Sequence, residues 1–172
     1  MKNIIQLILV LTLFSCSKKD EPKLTPLQQL PPATKVGANT AGCLVNGEAI
    51  YPKGNGNTFT LFYINQLDFV LGFHLEENNI NKVISIGILN NDLQVGRKYK
   101  LSSHPKSGKF SIGSNPPPRK DYFETTDNII GELVITYHDY NNAIISGEFW
   151  FDAIDSEGEI VKVREGRFDG KY

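Results

Sequence analysis

The chain has 172 residues, 40% of them apolar and 22% charged, which is enough for one packed core with a short appendage. With 18 basic and 19 acidic residues its formal charge is −1, and this excludes the strongly basic footprint of a nucleic-acid binder. Fifteen glycines and nine prolines are too few for a collagen-like or wholly disordered chain.

Residues 1–15 read as a secretory signal. Lys2 supplies the positive start, and the run from Ile4 to Phe14 supplies the apolar centre. A helix over that run rises only about 16 Å against a hydrocarbon layer of roughly 30 Å, too short to span it. The run ends in Leu13-Phe14-Ser15-Cys16. An aliphatic residue, a small residue two places on and then Cys: this resembles a bacterial lipobox. The resemblance implies that Cys16 is diacylated on sulfur, becomes the new N-terminus by cleavage, and is acylated there again. Several acyl chains, at ~0.8 kcal/mol per buried methylene, hold a protein on a bilayer where one chain is marginal. Cys16 is therefore the expected membrane anchor.

From residue 16 to about residue 40 the sequence predicts a tether. Lys18-Lys19-Asp20-Glu21 is followed by Pro22, Pro26, Pro31 and Pro32, with no apolar period of either kind. Lys19-Asp20-Glu21, soon after the acylated Cys, resembles the surface-export signal of Bacteroidetes lipoproteins, which implies an outward-facing place in the outer membrane. The other reading of these residues is a merely solvated tether.

Residues 41–172 are expected to form a single all-β domain. The apolar period beyond Thr40 is two almost throughout: Phe59-Leu61-Tyr63, Phe69-Leu71-Phe73-Leu75 and Ile84-Ile86-Ile88 each alternate with intervening residues. Turn chemistry separates the runs, and Asn46-Gly47 between two apolar triplets predicts a tight type I′ hairpin. No window of ten residues supports an amphipathic helix. The pattern gives about nine to eleven short strands, hence an antiparallel β-sandwich, with a flattened β-barrel as the alternative. Pro116-Pro117-Pro118 marks a loop near residues 113–121, since proline cannot serve a central strand.

The last third allows a register to be deduced. Leu133, Ile135 and Tyr137 share one strand face, and Ile145, Gly147, Phe149, Phe151 and Ala153 share one face of the next. Both sets must enter the same core, so Tyr137 lies opposite Ile145 and Tyr140-Asn141-Asn142 forms a three-residue loop with Asn left-handed. Trp150 then points outward between Glu148 and Asp152. It is either a stacking platform for a sugar ring or a Trp covered by a loop or second sheet.

Little in the sequence carries catalysis. His74, His104 and His138 lie far apart with no pair at metal-ligand spacing. There is no nucleophile elbow, phosphate loop or dinucleotide fingerprint. With Cys16 acylated, Cys43 has no disulfide partner and reads as a small buried hydrophobe. Asp155-x-Glu157-x-Glu159 around Gly158 lacks the fuller pattern of a calcium loop and reads as a solvated turn. Lys162, Arg164 and Arg167 read as a solvated face. No enzyme, cofactor or metal is expected.

Leu30-Pro31-Pro32-Ala33-Thr34, then Gly37-Ala38-Asn39-Thr40 and Gly42-Cys43-Leu44-Val45-Asn46-Gly47, resemble a family of uncharacterised Bacteroidetes lipoproteins. Ser146-Gly147-Glu148-Phe149 and Gly166-Arg167-Phe168-Asp169 look like that family's closing strands. The resemblance implies a domain of unknown function and transfers no catalytic residue. The expectation is a lipid-anchored, non-catalytic accessory or binding module that engages a protein partner or a glycan. A structural envelope lipoprotein with no small ligand is the alternative.

Overall fold

In the computed structural model the chain is described over residues 23–114 and 120–172. The signal segment, Cys16, Lys19-Asp20-Glu21 and the triple proline lie outside these residues.

A short helix α1, Pro26–Gln29, is followed by eleven strands: β1 Thr40–Val45, β2 Glu48–Ile50, β3 Phe59–Ile64, β4 Asp68–Glu77, β5 Ile80–Leu89, β6 Lys98–Leu101, β7 Lys106–Ser114, β8 Lys120–Glu124, β9 Gly131–Asp139, β10 Ile144–Ile154 and β11 Ile160–Lys171. All strand pairings between them are antiparallel. One half runs β2-β1-β11-β10-β9-β6 and the other β8-β7-β5-β4-β3. The end of β10 joins them by pairing Ile154 with Glu124 of β8, so one continuous sheet folds over on itself without closing into a barrel.

The folding-over follows from the alternation. Phe69, Leu71, Phe73 and Leu75 of β4 and Ile84, Ile86 and Ile88 of β5 are all buried. They meet the inner side chains of the other half: Phe69 lies 5.6 Å from Phe168 and Phe73 lies 6.4 Å from Phe149, ring centre to ring centre. The result is the expected all-β sandwich, with two apolar faces interdigitated in one core. Tight turns sit where the sequence puts them. Asn46 and Gly47 both have positive φ, 49° and 86°, as a type I′ turn requires, and β1 pairs with β2 around them.

The β9–β10 hairpin is partly as deduced. Leu133 lies opposite Phe149 and Ile135 opposite Gly147, so Phe149 and Phe151 are buried while Trp150 points out. Nearer the turn, Thr136 bulges out of β9, and Tyr137 pairs with Ser146 instead of Ile145. The loop is therefore four residues long, and Ala143, not an Asn, is left-handed at φ 52°. Asp139 stabilises it by accepting from the Asn141 and Asn142 backbone N–H groups at 2.9 and 3.1 Å.

The segment before β1 also departs from a free tether. Thr25 caps α1 in a reciprocal capping box with Gln28, and Leu30 is buried. Residues 34–38 then lie against β10 and β11. The Asp169 carboxylate, 1% exposed as a residue, accepts from Thr34 Oγ1 at 2.6 Å and from the N–H groups of Val36, Gly37 and Ala38 at 3.0, 2.9 and 3.2 Å. Ser146 Oγ donates to it at 2.8 Å. Burial alone would raise the pKa of this carboxyl, but the donors from Thr34, Val36, Ser146 and Gly37 hold it down at about 2. Four of the five stretches that carry the family resemblance, those with Thr34, Gly37-Ala38, Ser146 and Asp169, thus meet at a single buried side chain.

Candidate functional site

The outer face of β9, β10 and β11 carries an open hollow of about 370 Å³ around Trp150. Glu132 and Val134 of β9, Glu148 of β10 and Arg164, Glu165 and Arg167 of β11 line it with the indole. Trp150 remains 37% exposed, so no loop or second sheet covers it.

A bulge in β11 builds this site. Phe149 pairs with Gly166 but Phe151 pairs with Val163, leaving Arg164 and Glu165 together opposite Trp150. Residues 164 and 167 would lie on opposite faces of a regular strand, because side chains alternate. The extra residue puts both arginines outward. Glu165 takes up the kink with φ 54°, a left-handed conformation unusual for a residue with a Cβ. Gly166 is required beside it: a methyl there would fall 2.4 Å from the Phe149 ring and 2.5 Å from its carbonyl oxygen.

The charges are arranged by cross-strand pairing. The Arg164 guanidinium lies 5.4 Å from the Trp150 ring centre and pairs with Asp152 at 2.6 Å. It also donates to the Phe151 and Val163 carbonyls at 3.2 and 2.8 Å, which fixes it in place. Glu132, directly opposite Trp150, is held by Lys98 at 3.0 Å. Glu148 lies opposite Arg167, whose Nε is buried without a hydrogen-bond partner among the described residues. The hollow thus offers one aromatic surface, carboxylates that accept hydrogen bonds, and the Arg167 guanidinium at its rim.

The other sequence candidates are placed elsewhere. Cys43 is fully buried and unpaired, and burial pushes its thiol pKa far up. Asp155 Oδ1 accepts from the N–H groups of Glu157 and Glu159, both at 2.9 Å, so it caps its own turn. Among the described residues no group of three or more His, Cys, Asp or Glu is placed to hold a metal. Lys162 remains on the exposed face, whereas Arg164 and Arg167 are drawn into the hollow.

Sequence reasoning missed this role for the arginines. The signal was present: Val161 and Val163 are inward at odd positions and Phe168 at an even one, so the phase must switch between them. A second cluster was also missed. The Thr136 bulge turns His138 inward, where it stacks on Tyr140 at 3.9 Å and lies 4.9 Å from Tyr63. His138 Nε2 is 3.1 Å from the Tyr172 hydroxyl, and burial lowers the imidazole pKa. These rings pack on one another.

Residues 75–170 match the family model for a domain of unknown function, DUF6252, over more than half of the chain. The chain belongs to that family. The match starts within β4, so it holds every strand that lines the hollow but not the segment docked on Asp169. No curated protein and no solved structure matches the chain.

Proposed function

We propose that this DUF6252 protein is a lipid-anchored, non-catalytic binding module on the outward side of the outer membrane of a Bacteroidetes cell, and that its ligand is a glycan. The observation that carries the glycan reading is the outward indole of Trp150 amid Glu132, Glu148, Glu165 and Arg167. A pyranose presents an apolar C–H face to an aromatic ring and hydroxyls around its rim, which suits an open, polar-edged platform. None of the residues lining the hollow is His, Ser or Cys, so it holds no Ser–His or Cys–His pair for acyl transfer. The anchor rests on the Leu13-Phe14-Ser15-Cys16 sequence, and the outward side on Lys19-Asp20-Glu21.

One observation favours the structural alternative. Arg164 already lies over the indole and is tied to Asp152, so part of the ring surface is occupied by the protein itself.

Thermal melting against a panel of polysaccharides separates the two. A ligand that binds only the folded state at a hundred times its Kd adds about 2.7 kcal/mol, or roughly 5–10 °C in Tm. The glycan reading expects such a rise for at least one polysaccharide, and its loss in Trp150→Ala. A flat panel leaves the structural role. Protease shaving of intact cells, with a periplasmic protein as control, tests location: the domain should be lost while the control survives.

A further inference from the structure

β3 is an open edge of a kind that the other edges avoid. Of the three strands that end the sheet, β2 has only three residues and carries Glu48, and β6 has four residues, two of them lysines. Short length and charge are the usual protections against edge-to-edge pairing. β3, Phe-Thr-Leu-Phe-Tyr-Ile, has six residues with no charge, proline or bulge, and pairs with β4 without a register shift. Its outward Phe62 and Ile64 are 46% and 42% exposed.

The orientation of its backbone is fixed. The Thr58 carbonyl accepts from His74 N–H at 3.0 Å, so even-numbered residues direct their backbone groups to β4. By the alternation of an unbroken antiparallel ladder, Phe59, Leu61 and Tyr63 direct theirs to the open side. No described residue forms a backbone hydrogen bond with them there.

We propose that this edge pairs with β3 of a second copy of the chain, antiparallel about a two-fold axis, to make one sheet across two molecules. Two of the chain's own segments outside the described residues are poor occupants. Residues 115–119 include three prolines, which lack the N–H a ladder needs, and residues 17–22 are mostly charged or proline. β3 itself brings no charge to a second copy, so the two strands can meet without like charges between them. Because both copies offer Phe59, Leu61 and Tyr63, the two-fold sets Leu61 opposite Leu61 of the other copy and Phe59 opposite Tyr63. About six backbone hydrogen bonds form in that register. On the outer face Phe62 lies beside Thr60 of the other copy, covering apolar surface now in water.

Sedimentation velocity of the full chain in detergent, over a hundredfold range of concentration, tests this. The expected result is a concentration-dependent dimer in the wild type. Thr60→Lys and Phe62→Lys, both at exposed positions, should each raise the dimer Kd at least tenfold, with unchanged far-UV circular dichroism showing that the variants fold. Mixing Phe62→Lys chains with Thr60→Glu chains should restore dimers, because those residues face each other in this register. A wild type that remains monomeric overturns the proposal. So does a dimer that both folded lysine variants leave intact.

Discussion

Replacing Asp169 with Asn removes one charge and almost no volume, so it isolates what the carboxylate does. Oδ1 accepts from Gly37 N–H and Ser146 Oγ, and Oδ2 accepts from Thr34 Oγ1 and the N–H groups of Val36 and Ala38. Whichever way the new amide turns, its NH2 meets at least one part-buried backbone N–H that has lost its acceptor. An unsatisfied group of that kind costs about 1–3 kcal/mol, and the remaining bonds lose their charge assistance. A total of roughly 2–4 kcal/mol corresponds to a fall in Tm of roughly 10 °C for a domain of this size. The pH dependence has a definite sign. The folded pKa of about 2 lies below the unfolded value, so the stabilisation is complete above about pH 4 and is lost as the pH falls from 4 through 2. It amounts to about 2 kcal/mol at most. Melting curves of wild type and Asp169→Asn at pH 7, 4 and 2.5 measure both effects. The variant should melt lower at pH 7, and the gap should narrow in acid. A variant that melts within about 2 °C of wild type at pH 7 refutes the reasoning.

Three further outcomes follow from the packing. Glu165→Gly releases a left-handed residue from its Cβ and should raise Tm by about 3 °C, corresponding to about 1 kcal/mol, in a thermal melt; a lower Tm would contradict the strain at the bulge. Gly166→Ala drives a methyl into the Phe149 ring and carbonyl, and should cost about 3 kcal/mol or more in urea unfolding, with a neutral result excluding the close approach. Cys43 should resist thiol reagents at pH 8 in the folded protein and react on denaturation, because it is fully buried and its pKa is raised; rapid native labelling would show that the core opens there.

What the sequence made legible was local and periodic. Alternation in β4 and β5 identified the residues that fill the core, and Asn46-Gly47 identified a turn from the conformations those residues tolerate. The outward placement of Trp150 followed from a single constraint, that Phe149 and Phe151 cannot both face water. The bulges were not legible in the same way. Thr136 has nothing in its type that marks it as the extra residue, and Tyr137 is as plausible inside as outside. Missing that bulge shortened the loop by a residue and hid the inward turn of His138. At Glu165 the local residue type argues against a left-handed conformation, and only the change of apolar phase between Val163 and Phe168 reveals it. Because that bulge sets both arginines beside Trp150, the hollow is assembled from the sequence only by following that change of phase. The docking of residues 34–38 was hidden for another reason. Its partner, Asp169, lies more than 130 residues away, and a Pro-rich stretch without apolar period carries no local sign of a buried acceptor.

The glycan reading turns on the Trp150 hollow, and the chain supplies its own probe, since Trp150 is its single Trp. Its fluorescence therefore reports on that surface without subtraction. Titration of the folded protein with the soluble polysaccharide panel should give, for at least one member, a saturable change in emission as a sugar ring displaces water from the indole. Emission that no member alters, from an indole that stays equally open to acrylamide quenching, would contradict a glycan platform at Trp150.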